Sequence, residues 1–141
     1  MPQAVEVYEI DGPFFFGAAE KFKETLGLIG GRPRVLILRM RNVPAVDSTG
    51  LHALQDIVRR SRKDGTLVLL SDVHAQPMVA IGRSDLLDEL GEDNVFGNID
   101  DALNRAREHM GLPTAERPAY ATATVARETP ATGVRRVSGE E

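Results

Sequence analysis

The chain has 141 residues, 42% of them hydrophobic, with 17 Lys and Arg against 21 Asp and Glu for a formal charge of −4. That length and apolar fraction suit one domain with a real core, and the mildly acidic balance argues against broad binding to nucleic acid or to an anionic membrane surface. The chain lacks cysteine, which excludes disulfides, thiolate metal sites and cysteine nucleophiles.

Val5–Ile10 (VEVYEI) alternates apolar and polar residues at period two, the mark of a half-buried strand. Asp11-Gly12-Pro13 is turn chemistry, and Phe14-Phe15-Phe16 is expected to form a short second strand, giving a hairpin. Ala19, Phe22 and Leu26 then share one helical face, ended by Gly27, and Gly30-Gly31-Arg32-Pro33 reads as a loop. Val35–Leu38 is apolar on both faces, as a covered central strand should be. Leu51, Leu54, Ile57 and Val58 stripe a second helix, whose late Arg59, Arg60, Arg62 and Lys63 suit the negative pole of its dipole. Asp64-Gly65 turns the chain into a buried strand, Thr66–Leu70. Pro77 suits the first turn of a short helix, and Leu86, Leu87 and Leu90 give another apolar turn ending at Gly91. Val95-Phe96 is expected as a last edge strand, and Ile99, Ala102, Leu103, Ala106 and Met110 stripe a closing helix. The fold class that follows is α/β: a mixed central sheet with helices packed around it, a hairpin first and then alternating helices and strands.

Composition changes at Gly111. Residues 1–111 are expected to form the domain. Residues 112–141 carry four Arg, four Glu, five Thr and one Ser with almost no large aliphatic residues, so they are expected to be a disordered tail. No apolar stretch approaches the ~18 residues of a membrane-spanning helix. Met1–Glu20 has no basic start followed by an apolar block, so the chain is expected to be soluble and without an export signal.

No catalytic constellation is expected. His52, His74 and His109 are scattered without metal-ligand spacing, and His52 should point away from the core. Gly27 to Gly31 lacks the Lys-Ser/Thr of a phosphate loop, so no cofactor is expected. Asp85, Asp88, Glu89, Glu92 and Asp93 lack the order of a calcium loop and read as a solvated helix edge. Asp100 and Asp101 read as caps where the last helix starts.

The remaining candidate is Asp47-Ser48-Thr49-Gly50, between the second strand and the second helix. A helix start leaves four orphan amide protons, which Asp, Ser or Thr can accept; a full capping box is absent, because Leu51 and His52 stand where Glu or Gln would. The same geometry leaves a hydroxyl exposed, and a phosphate added there would meet the positive end of the dipole.

The run "RMRNVPAVDSTGLHAL" at 39–54, the opening "VYEIDGPFFFGAAEKF" at 7–22 and "LLDELGEDNVF" at 86–96 resemble the STAS domain (sulfate transporter and anti-sigma factor antagonist) over about residues 5–110. They are most similar to the version in SulP anion transporters, where the domain is cytoplasmic and follows the membrane part. That resemblance implies a non-catalytic regulatory and interaction domain of a sulfate or related anion transporter. It would lie at the cytoplasmic face of the inner or plasma membrane, with the membrane domain of the same transporter as partner. A regulatory protein, or an anion or nucleotide, would touch Asp47, Ser48, Thr49 and Gly50. The alternative implied by the same family is a stand-alone anti-sigma antagonist-like switch, phosphorylated at Ser48. Asp85 stands where such domains commonly have Gly, and Asp tolerates a left-handed backbone.

Overall fold

The computed structural model describes residues 4–28, 33–114 and 133–140. Four strands, β1 (Val5–Asp11), β2 (Val35–Asn42), β3 (Leu67–Ser71) and β4 (Gly133–Glu140), form one sheet in the order β3-β2-β1-β4. β1 pairs parallel with β2 and β2 with β3, whereas β4 runs antiparallel to β1. Among the described residues five α-helices intervene: α1 (Phe16–Leu28), α2 (Ser48–Lys63), α3 (Ala75–Gly82), α4 (Leu86–Leu90) and α5 (Ile99–His109). The expected α/β class with a mixed sheet is what the chain forms.

Period two sorts the strand residues onto two faces. Tyr8, Ile10, Leu36, Leu38, Met40, Val68 and Leu70 turn to one side, where they meet Phe22 of α1, Leu54, Ile57 and Val58 of α2, Ile81 of α3 and Leu86 of α4. Val5, Val7, Val35, Ile37 and Leu69 turn to the other and meet Ile99, Ala102, Leu103 and Ala106 of α5. The α2 and α5 stripes follow the expected spacing; Leu51 is half-buried at the margin, and Ala53 and Gly50 join the buried face.

Three expectations differ from the structure. Phe14-Phe15-Phe16 is not a strand: Phe14 makes a single parallel bridge to Val46, and the helix starts at Phe16. Three residues cannot distinguish period two from the start of a helix, and the edge of β1 that a hairpin would use belongs to β2 and β4. Val95 likewise makes only an isolated bridge, to Leu70, with Phe96 N–H donating to Leu70 O at 2.9 Å. Within the expected disordered tail, Gly133–Glu140 forms β4, in register from Asp11↔Gly133 to Val5↔Glu140. The strand completes the backbone hydrogen bonding of β1, which would otherwise be an open edge. The loop expected at 30–33 lies outside the described residues except for Pro33, as do tail residues 115–132 and 141.

Candidate functional site

The loop from Val43 to Asp47 is held from three directions at the carboxyl end of the parallel strands. The Val43 amide donates to Met40 O at 3.0 Å, and the Phe14 amide donates to Ala45 O at 2.9 Å. From α3, Gln76 reaches across: its Oε1 accepts from the Val46 amide at 2.9 Å and its Nε2 donates to Val46 O at 3.4 Å. Gln76 thus serves Val46 as a second strand would. No local pattern in the sequence marks it, because the partner lies 30 residues away.

Asp47 is the cap of α2. Its backbone is extended at φ −96°, and its Oδ1 accepts from the Gly50 amide at 2.8 Å and from Thr49 Oγ1 at 2.7 Å. The Thr49 hydroxyl, then the Gly50 amide, hold the Asp47 carboxyl below its ordinary value, because both bond to the charged form. Ser48 is exposed, and its hydroxyl has no hydrogen-bond partner among the described residues. Gly50 is buried beneath Phe14: a Cβ there would lie 2.1 Å from Phe14 O and 3.0 Å from Val46 Cγ1. The expected contact group therefore divides. Asp47 and Thr49 hold the turn, Ser48 is exposed, and Gly50 is buried in close packing.

The same loop organises an aromatic pair. Phe14 is fully buried, edge-on to Phe22 with ring centroids 6.0 Å apart, while Phe15 and Phe16 are 43% and 63% exposed. Phe15 and Phe16 thus follow directly on the residue that bridges Val46, next to Asp47 in the chain. Pro44 is exposed on the same loop.

On the face that α5 covers, the last residues of the strands carry a charge network that sequence reading did not single out. Arg41 Nε pairs with the buried Glu9 Oε1 at 2.7 Å, and Asn42 Nδ2 donates to Glu9 Oε1 at 3.0 Å and to Asp11 Oδ1 at 2.6 Å. Arg39 Nε pairs with Asp72 Oδ2 at 3.1 Å, which also accepts from Ser71 Oγ at 2.9 Å. Its signal was present in EID and LRMRN, where Glu9 and Asp11, and Arg39 and Arg41, alternate with other residues at the carboxyl ends of two adjacent strands. The left-handed residue here is Asp72, at φ 57°, whereas Asp85 is right-handed at φ −71° and needs no such tolerance.

The other candidates lie apart from the Asp47 loop or differ from their expected role. His52 is exposed, the His74 ring bonds Arg41 O, and His109 lies at the far end of the sheet. Among the described residues no His, Asp and Glu cluster could hold a metal, and no helix is long and apolar enough to cross a membrane. Within the acidic run, Glu89 Oε1 pairs with Arg59 at 2.6 Å. The cap of α5 is Asn98, whose Oδ1 accepts from the Asp101 amide at 2.8 Å; Asp100 and Asp101 sit in the first turn instead.

The architecture and the capped loop can be set beside known proteins. A sulfate transporter family protein from Wolinella succinogenes is 45% identical, with a TM-score of 0.73, over 79% of this chain and 91% of that one. The STAS domain of a SulP transporter from Vibrio cholerae is 33% identical, with a TM-score of 0.68, over 79% and 87%. The murine solute carrier 26 family member A9 anion transporter is 26% identical, with a TM-score of 0.67, over 76% of this chain but 18% of that one. The chain likewise spans only 11 to 19% of the length of the curated relatives it matches. The STAS domain profile matches residues 2–102, from the start of β1 through the first turn of α5 and including the Asp47-capped loop. With both the profile and the sheet-and-helix arrangement in agreement, the chain belongs to the STAS domain family.

Proposed function

We propose that this domain is the cytoplasmic regulatory and interaction domain of a SulP-type transporter of sulfate or a related anion, and that it performs no catalysis. Its partner would be the membrane domain of the same transporter, at the cytoplasmic face of the membrane. The observation that carries the reading is the surface around Asp47. The carboxylate is engaged in holding the turn, and what faces outward is Ser48, Pro44, Phe15 and Phe16 on a backbone fixed by Gln76 and Gly50. A rigid, exposed aromatic pair beside a helix start suits recognition of a partner or an anion better than bond chemistry. The relatives, whose descriptions are of transporters and transporter domains, favour this over the phosphoswitch alternative.

The test places Phe16→Ser and Asp47→Ala separately in a full-length transporter that carries this domain. Reduced anion uptake at equal membrane abundance is expected for both, with Asp47→Ala more severe than Ser48→Ala. Wild-type uptake in both variants would refute the contact surface. Phosphate on Ser48 in cells, with a Ser48→Ala protein that loses its only partner, would overturn the transporter reading in favour of the switch.

A further inference from the structure

β4 ends the sheet, hydrogen-bonded to β1, and lies beyond the STAS profile, which stops at residue 102. Its sequence is GVRRVSGE, with Arg135 and Arg136 three and two residues before Ser138. Two guanidinium groups at that spacing before a hydroxyl form a charge pattern that an acidic kinase groove reads on an extended segment. β4 is extended. The other arginine pair, Arg59-Arg60, runs into Ser61 inside α2, where the helix would have to unwind first.

The register makes Ser138 a sensitive position. Val7 pairs with Val137 and Val5 with Glu140, so Glu6 stands opposite both Ser138 and Gly139. Two residues against one is a bulge, which interrupts the ladder locally. Glu6 is buried, and its Oε2 accepts from the Tyr8 hydroxyl at 3.3 Å. Between them β1 and β4 carry Glu6, Glu9, Asp11 and Glu140 against Arg135 and Arg136. The two arginines stand in register with Glu9 and Tyr8, so the closed pair already uses their charge. A phosphate would add up to about two negative charges. At about 6 Å from one carboxylate, that charge opposes pairing by about tenfold even at the dielectric of water.

We infer that Ser138 is a phosphorylation site, and that its modification releases β4 and opens the outer edge of β1. The reactants are a serine protein kinase with an acidic substrate groove and a Mg²⁺-bound nucleoside triphosphate. The Ser138 hydroxyl oxygen bonds the γ-phosphorus, the bond from that phosphorus to the β–γ bridging oxygen breaks, and the nucleoside diphosphate leaves with the electron pair. The hydroxyl proton passes to a carboxylate base of the kinase. A strand laid along β1 cannot also lie in a kinase groove. Transfer therefore captures the opened form, and the added charge then opposes its return.

The ladder supplies the readout. Ala4 O accepts from the Val35 amide at 3.0 Å, so Glu6 and Tyr8 turn their amides to β2, while Val7 and Glu9 turn theirs to β4. The full chain is treated with Mg-ATP and a serine kinase selective for arginine three and two residues before its acceptor. Phosphate is mapped by mass spectrometry, and amide hydrogen exchange is followed by NMR. Stoichiometric phosphate is expected on Ser138, lost in Ser138→Ala and kept in Ser48→Ala. It should speed exchange at the Val7 and Glu9 amides by about tenfold, while the Tyr8 amide keeps its rate. Glu6→Gln in the phosphorylated chain should return most of that protection. The inference is overturned if Ser138 stays unmodified, if phosphate leaves Val7 and Glu9 protected as before, if Tyr8 loses protection with them, or if Glu6→Gln changes nothing.

Discussion

Gly50→Ala is the sharpest test of how the loop and α2 are held together. Gly50 is the third residue of α2, and the added Cβ would sit 2.1 Å from Phe14 O and 3.1 Å from Phe14 Cδ2. A carbon and a carbonyl oxygen need at least ~3.3 Å, so one backbone must retreat by about 1 Å. The carbonyl cannot move alone, because the amide of the same residue donates to Ala45 O at 2.9 Å and its ring fills the core against Phe22. Overpacking of this kind costs about 1–3 kcal/mol. Loosening the Phe14–Ala45 bond adds about 1 kcal/mol. Against this, Ala gains about 0.5–1 kcal/mol over Gly within a helix. The net expectation is a loss of about 1–3 kcal/mol, measured by urea unfolding, or roughly 3–15 °C in Tm. Gly17→Ala is the matched control: on α1 its Cβ would meet nothing within 4 Å, so it should be neutral or stabilise by about 0.5–1 kcal/mol. Gly50→Ala as stable as Gly17→Ala would refute the close approach.

Asp47→Ala should cost about 1 kcal/mol at neutral pH, and Ser48→Ala less than about 0.5 kcal/mol, in the same unfolding assay. The Asp47 carboxyl titrates below 3.8 in the fold, so its contribution is present above that value and lost as pH falls through the folded pKa; the two proteins should converge in acid. Phe14→Ala should cost about 3–5 kcal/mol, whereas Phe15→Ala and Phe16→Ala should each cost less than about 1 kcal/mol. His109 should titrate below its ordinary 6.5 by NMR, because burial first, then Arg105 and Arg34, oppose its charged form; Arg105→Gln should raise the value. Between the folded pKa and 6.5 the unfolded chain holds the extra proton, so the His109 contribution to stability is complete above 6.5 and declines as pH falls through that window.

What the sequence made legible was periodic and local. Val35–Leu38, the α2 stripe and the α5 stripe announce their structure because each buries a whole face, and period fixes which residues do so. The Asp47 turn was legible as a helix start, but whether Asp47, Ser48 or Thr49 caps it depends on side-chain direction. Gly50 was read as part of a contact surface because nothing in the local pattern reveals that Phe14 O lies over it. Gln76 and β4 were invisible for a related reason. Gln76 acts through a distant amide, and Gly133–Glu140 has a short, charged pattern whose only warrant is the edge of β1.

The pairing of β4 with β1 fixes how the domain responds to tension. Val5 lies opposite Glu140, so the two described ends emerge side by side at the same margin of the sheet. A pull applied between them does not shear the sheet, where many backbone bonds would resist together. It peels β4 from β1 starting at that pair, one ladder bond after another. In a longer polypeptide, strain on the flanking segments would be absorbed by this zipper before it reached the Asp47 loop.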